Sequence, residues 1–459
     1  MNELLIASLL GVVVLGADIL KLRKAVLGFI VLALLAIPVL VYFDWNTNVD
    51  PFSNGMILMD NFALAFSGTF ASITLLWFLL SKPYFSQSRN STDLYALVLF
   101  SLCGAIVMSS YTNLVMLFLG IEILSIPMYV LAASHRGDIL SNEAGFKYFF
   151  LGAFASATLL FGIALIYGAS GSFDLGTIRD GIIAGNYPAA WMYSGVILIL
   201  AGFAFKVSVA PFHLWAPDVY QGSPTVVTAL MATVVKGAAF AALYRLFAVA
   251  FPSLLSDVTT TIVWLSGITL IVANVVGSVQ TNVKRLLAYS SISHAGFMVA
   301  AVLISPQNAG GGTLLYYVIT YSVASLASFM VVYFVAAIQN GNDDFEAFRG
   351  LVKRNPLLAG TMTLALLSMA GIPPLSGFMA KYLVIASALQ GGHIALVIIM
   401  VLTSVVAVYY YLKLITIMFS PIENAGRIVT GRAERWVLVL LSILLFALTF
   451  AAGIVTTVI

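Results

Sequence analysis

Runs of about twenty consecutive apolar residues recur along almost the whole of this 459-residue chain, and they dictate its solvent. As an α-helix rising ~1.5 Å per residue, such a run crosses a hydrocarbon core roughly 30 Å thick. Inside lipid every backbone N–H and C=O must find its partner within the protein, so the runs must be helical. Transmembrane barrels alternate polar and apolar residues, and these runs do not. Hydrophobic residues make up 61% of the chain and charged ones 8%, which excludes a soluble globular domain. The expectation is an all-α polytopic membrane protein.

Fourteen apolar segments are expected as spans. They cover roughly 3–18, 25–43, 62–81, 93–110, 112–133, 144–168 and 190–212 in the first half. The second half adds 224–250, 259–280, 287–305, 313–338, 356–389, 393–418 and 434–457. Basic residues sort to alternate ends of these segments: Lys21, Arg23, Lys24, Lys82, Arg89, Arg136, Lys147, Lys284, Arg285, Arg349, Lys353, Arg354, Arg427, Arg432 and Arg435 flank one side, and Arg179 stands alone opposite. Positively charged loops stay in the cytoplasm, so both termini are expected on the outer side. Met1-Asn2-Glu3 lacks the basic region of a signal peptide, so the first run is expected to persist as a span. The net charge of +3 suits basic cytoplasmic loops and gives no ground for nucleic-acid binding. Cys103 is the single cysteine, which argues against a disulfide framework or a cysteine-based metal or iron–sulfur site.

Against this apolar background four charges stand out within spans: Glu122, Lys206, Lys236 and Lys381. Each costs roughly 2.5–3.5 kcal/mol at a helix centre on insertion scales, on the order of 10–14 kcal/mol together. Membrane proteins that carry such a load usually move ions or protons. Glu122 cannot reach the surface from mid-span, so it must face protein or water. It either tunes a nearby lysine through its charge or pairs with one purely for helix packing. Lys236 lies twelve residues past Pro224, about 18 Å along its helix, too deep for its stem to reach either surface. Lysine can lose its proton when buried and arginine does not, so Lys236 is a candidate proton carrier.

Lys206 and Lys381 are nearer span ends and have snorkelling as an alternative. His294 is a candidate proton shuttle or a packing histidine, and His213 a candidate relay or an interfacial residue. Arg245 and Lys413 read as interfacial anchors or lipid contacts, and Glu143 with Lys147 as an i,i+4 surface pair of small worth.

Two spans are irregular. The seventh runs into Pro211, and the twelfth, about 34 residues long, is interrupted by Gly371-Ile372-Pro373-Pro374. Read from the cytoplasm outward, both place a proline break before a lysine, Lys206 in one and Lys381 in the other. Five spans separate them, so spans 4–8 (91–255) and 9–13 (256–420) are expected as two inverted repeats with discontinuous helices 7 and 12. Residues 1–90 then hold peripheral spans 1–3, and 421–459 the last span. Inverted repeats with broken helices are a transporter architecture.

The chain resembles the antiporter-like subunits of respiratory complex I, most closely the subunit N group. The resemblance rests on Met116–Ala132 with Glu122, Glu143–Ser156 (EAGFKYFFLGAFAS), Ala204–Gly222 (AFKVSVAPFHLWAPDVYQG), Lys284–Gly296 (KRLLAYSSISHAG) and Gly371–Tyr382 (GIPPLSGFMAKY). It implies a fourteen-helix fold with two inverted five-helix repeats and a water-linked chain of buried charges. Glu122 would pair with Lys206, Lys236 would be the central relay, and Lys381 would lead to the opposite side. Subunit M typically has glutamate at the position of Lys381, and subunit L continues into a long lateral helix, so both points favour the N group.

What the resemblance implies is a proton-translocating subunit of an NADH–quinone oxidoreductase in a bacterial inner membrane. It implies no cofactor in this chain, with NADH, FMN, iron–sulfur clusters and quinone in partner subunits. The implied neighbours are subunit M and small K- and J-type subunits. An Mrp-type sodium/proton antiporter subunit and a non-conducting membrane scaffold are the alternatives.

Overall fold

The computed structural model describes residues 2–17, 19, 23, 25–47, 55–86, 90–302, 310–422, 426–457 and 459. Lys21, Lys24 and Arg89, three of the basic residues used to orient the chain, lie outside them. The described secondary structure is helical, with three isolated β-bridges between loop residues.

Helices α1 (Asn2–Gly16), α2 (Val26–Phe43), α3 (Asn61–Ser86), α4 (Ser91–Ser110), α5 (Leu114–Ala132) and α6 (Ile139–Ser170) follow one another along the chain. A short surface helix α7 (Leu175–Ile183) leads to α8 (Ala189–Lys206), where the chain breaks before the brief α9 (Trp215–Gly222). Helices α10 (Thr225–Leu230) and α11 (Lys236–Arg245) form one rod over Thr225–Ala250, through π turns at Met231–Val235 and Leu246–Ala250. Then come α12 (Leu255–Ser278), α13 (Val283–Ala301), α14 (Gly310–Ile338), the short α15 (Leu351–Arg354), and the broken pair α16 (Pro356–Ala370) and α17 (Ser376–Gln390). The described helices end with α18 (Ile394–Phe419) and α19 (Arg432–Thr457). Among the described residues, eleven helices are long and apolar enough to cross a membrane.

Burial sorts these helices from centre to rim. The apolar window of Thr225–Ala250 is 100% buried, whereas that of α6 is 33% and that of α2 22% buried. The rod that carries Lys236 is therefore the axis of the molecule. Helix α13 is too polar to count among the eleven, yet all its residues except Arg285 are buried. Its serines and histidine are tolerated because protein, not lipid, surrounds them. Helix α3, placed by sequence among peripheral spans, packs on that axis: Trp77 Nε1 donates to Val226 O at 2.6 Å, and Phe70 lies against Gly237.

Both proline-marked spans are broken as expected. Helix α8 stops at Lys206, and a turn through Pro211 precedes α9. Helix α16 stops at Ala370, where Gly371 takes φ +86°, and Pro373 and Pro374 separate it from α17. Proline supplies no backbone donor and clashes with the preceding turn, so neither helix can run through. Elsewhere close packing uses small residues. A Cβ added at Gly162 of α6 would stand 2.8 Å from Gly195 O of α8, so these two backbones touch directly.

Candidate functional site

Lys206 is the last residue of α8, beside that helix's carbonyl end, where the macrodipole favours a cation. It is buried, and its Nζ donates to Ser125 Oγ on α5, which in turn donates to Ile121 O. The Tyr129 ring lies 5.7 Å from Nζ. Glu122 sits one turn earlier on α5, but its Oε1 accepts from Ser156 Oγ of α6 at 2.5 Å. Among the described residues no ion pair joins Glu122 to Lys206, contrary to the pairing implied by the resemblance. Residues three apart on a helix differ by about 60° in direction. Ser125 therefore faces the end of α8 while Glu122 turns into the α5–α6 groove.

Lys236 follows directly on the π turn Met231–Val235 and is 2% exposed. Single π turns inside α-helices frequently mark functional positions. Its Nζ donates to both oxygens of Ser291 on α13, at 3.0 Å to the carbonyl and 2.5 Å to Oγ. Tyr321 of α14 donates to the same Oγ at 2.7 Å. One turn along α13, His294 Nδ1 is 2.9 Å from the Tyr317 hydroxyl, and its ring lies 5.0 Å from that of Tyr321. A small cavity lined by His294, Tyr317, Tyr321, Ser368, Gly377 and Ala380 opens from there toward α17.

Lys381 of α17 reaches back across the break, and its Nζ donates to Ala370 O at 3.0 Å. It thereby caps the carbonyl end of α16, while the Phe297 ring lies 5.2 Å from Nζ. Gly371 makes room for it: a Cβ there would stand 3.0 Å from Lys381 Cδ, on a backbone with φ +86°. Gly371→Ala is expected to leave the assembled amount nearly unchanged but to displace the Lys381 stem. The strain at positive φ costs about 1 kcal/mol. Proton transport per assembled molecule, compared with a Gly360→Ala control in open space, checks this.

The three lysines share one property. Each is bound by hydroxyl or carbonyl oxygens, and among the described residues none has a carboxylate within ion-pair distance. Helix ends and hydroxyl dipoles support the charge without neutralising it, so the proton on each is held but not locked by a counter-ion.

Sequence reasoning missed a polar cluster at the basic end of the bundle. Glu143 and Lys147 do pair, at 2.7 Å, but Lys147 also binds Asp218 at 2.8 Å, and Asp218 binds Arg285 at 2.8 Å. Partial burial opposes the charge on Asp218, but the hydrogen bonds from Lys147 and Arg285 hold its carboxyl below the usual range. Lys284, read as a loop charge, is buried and donates to Gln221 O at 2.6 Å and Ser223 O at 2.7 Å, capping α9. It borders a cavity of about 270 Å³ with His135, Asp138, Asp343 and Gln221. The signal was local: Val283, Leu286 and Leu287 around Lys284 are apolar and place it on a buried face.

Two other assignments change. Arg245 is no lipid anchor: it is 4% exposed, bonded to Asp60 Oδ1 at 2.5 Å and 5.1 Å from the Phe62 ring. Its helix is the molecular axis, so no lipid reaches it. His213 is buried in the turn before α9 with Nδ1 unpartnered, and the structure does not bring it to the lysines through any hydrogen bond.

Residues 111–407 match the family described as NADH:quinone oxidoreductase/Mrp antiporter, TM. The chain belongs to this family. The NADH:quinone oxidoreductase/Mrp antiporter match covers every residue of the lysine line and both broken spans. Two curated relatives are named NADH-quinone oxidoreductase subunit N. The one from Flavobacterium johnsoniae is 44% identical, over 94% of this chain and 94% of its own length. That from Flavobacterium psychrophilum is 43% identical, over 92% of this chain and 91% of its own. Among solved structures, a chain of respiratory complex I from Thermus thermophilus with bound aureothin superposes with a TM-score of 0.84. It is 33% identical and matches 99% of this chain and 98% of its own length. The all-helical antiporter-like membrane fold expected from the motifs is thus the fold of the family.

Proposed function

We propose that this chain is the proton-translocating subunit N of an NADH–quinone oxidoreductase. The observation that carries the reading is the line of three buried lysines held by neutral oxygens. A scaffold charge would be expected to carry a counter-ion, because an unpaired buried charge is costly. Protons would move from Lys206, biased by Glu122, to Lys236, on through the His294 cavity to Lys381, and then outward. The redox cofactors NADH, FMN, iron–sulfur clusters and quinone belong to partner subunits in this reading. Subunit M and small K- and J-type subunits would be the neighbours, in a bacterial inner membrane with both termini outside.

The reading includes fourteen spans in two inverted repeats, 91–255 and 256–420, with 1–90 and 421–459 outside them. Matching junctions support it. Thr112-Asn113 opens α5 and Thr281-Asn282 opens α13; each asparagine bridges to an aspartate, Asp174 or Asp344, and its side chain caps its own helix. Around each bridge the same pair of backbone bonds forms: Leu114 N to Phe173 O with Leu175 N to Thr112 O, and Val283 N to Asp343 O with Phe345 N to Thr281 O. These junctions fall at opposite ends of the bundle in the expected topology, as inverted repeats require.

Lys206→Met, Lys236→Met and Lys381→Met test the function in the assembled complex. NADH-driven proton uptake per electron should fall in each, with assembly retained. A scaffold predicts the reverse, loss of assembled complex with an unchanged ratio in what remains.

A further inference from the structure

The two matching junctions set a common register for α5 and α13, and the register singles out one hydroxyl. Glu122 stands nine residues after Asn113, and Ser291 stands nine after Asn282. Three residues further on, Ser125 binds Lys206 and His294 borders the cavity toward Lys381. Ser291 thus occupies in the second helix the place of the glutamate in the first, yet unlike Glu122 it touches a lysine directly. Its Oγ is 2.5 Å from Lys236 Nζ and 2.7 Å from the Tyr321 hydroxyl, while its carbonyl holds the same ammonium at 3.0 Å. Lys236 makes no hydrogen bond to His294, so a proton leaving it along these contacts meets Ser291 first.

We infer that the Ser291 hydroxyl, backed by that of Tyr321, is the group through which Lys236 hands its proton toward His294. The inference rests on the proposed function. In the transfer Lys236 Nζ–H breaks as a new Ser291 Oγ–H forms, and the original Ser291 proton passes to the Tyr321 oxygen. The Tyr321 proton then leaves to a water molecule in the cavity and reaches the neutral His294 imidazole. Both hydroxyls finish with one proton each, Lys236 is left as a neutral amine, His294 gains the charge, and no electron moves. Ser291 must turn from accepting to donating toward Tyr321, a rotation that a hydroxyl makes without moving its helix. The backbone carbonyl of Ser291 keeps Lys236 in place meanwhile, so holding and relaying are divided between two oxygens of one residue.

Ser291→Ala and Tyr321→Phe, each in the assembled complex in membrane vesicles, test this. Each removes one oxygen and leaves the Ser291 carbonyl in place. The rate of proton transfer through this subunit should fall about tenfold, less than the ~10²–10⁴ for losing a positioned acid or base because water can occupy the vacated space, and proton uptake per electron should fall with it. Ser291→Thr, which restores a hydroxyl, should recover transport, and the solvent deuterium isotope effect on coupled turnover should change in Ser291→Ala alone of these two serine variants. A residue that only packs α13 would alter the assembled amount and leave the isotope effect untouched. Assembled Ser291→Ala and Tyr321→Phe complexes that pump at the parental ratio overturn the inference. Lys236→Met run alongside separates the two claims. Its failure to pump, with both hydroxyl variants normal, sinks only the Ser291 relay, whereas normal pumping in Lys236→Met sinks the proposed function itself.

Discussion

Lys236→Arg is expected to stop proton passage through this subunit as fully as removal of the side chain does. Arginine keeps the positive charge and about the same reach, but its guanidinium does not deprotonate in proteins. If Lys236 served only to fix helix register or to set a local field, the arginine variant would retain most of its function. If Lys236 gives up and regains a proton, the transfer step should slow by ~10²-fold or more, the loss typical of a missing acid–base group. The site makes the comparison clean, because Ser291 offers two acceptor oxygens to either cation. NADH-driven proton uptake per electron, normalised to assembled complex, gives the answer.

The second large effect concerns stability. Asp60→Ala is expected to strip the counter-ion from Arg245, which is 4% exposed and has an Nε with no partner even in the intact protein. Breaking a buried pair costs roughly 3–5 kcal/mol, and the lower end applies here because the Asp60 side chain is 30% exposed. Asp60 also caps α3 through the Ala63 N–H at 2.9 Å, worth about 1 kcal/mol more. Asp60→Asn keeps an acceptor for the cap and removes the charge, so it should lose only the first part. Asp60→Ala combined with Arg245→Met should regain much of the assembled amount, since an apolar pair avoids the stranded charge. Thermal stability of the detergent-extracted complex, across these three variants, measures the division.

The apolar runs placed the helices well because length and continuity of hydrophobicity leave a membrane chain few choices. The prolines placed the breaks for an equally local reason, the missing donor at Pro211 and at Pro373. What escaped was direction. The family resemblance implies a Glu122–Lys206 pair, but three residues of helical rotation put Ser125, not Glu122, under the ammonium. Arg245 reads as an interfacial or lipid contact in sequence because nothing in a linear pattern says that Thr225–Ala250 is the central rod. Lys284 and Arg285 read alike in sequence, yet one is buried under α9 and the other half-exposed beside Asp218. Hydroxyl partners such as Ser291 and Tyr321 are invisible at this level, because serine and tyrosine are ordinary in any span. Only the recurrence of Thr-Asn at 112–113 and 281–282 offered a clue, a shared register readable in hindsight.

Lysine-selective ¹⁵N labelling of the assembled complex, with side-chain spectra at rest and during NADH turnover, tests the central claim most directly. Lys236→Arg and Lys381→Arg samples identify the resonances. The account predicts that the Lys236 nitrogen exchanges between ammonium and amine during turnover, and that this exchange vanishes when quinone reduction is blocked. Lys206, Lys236 and Lys381 all remaining ammonium throughout turnover, in complex that pumps normally, would contradict it.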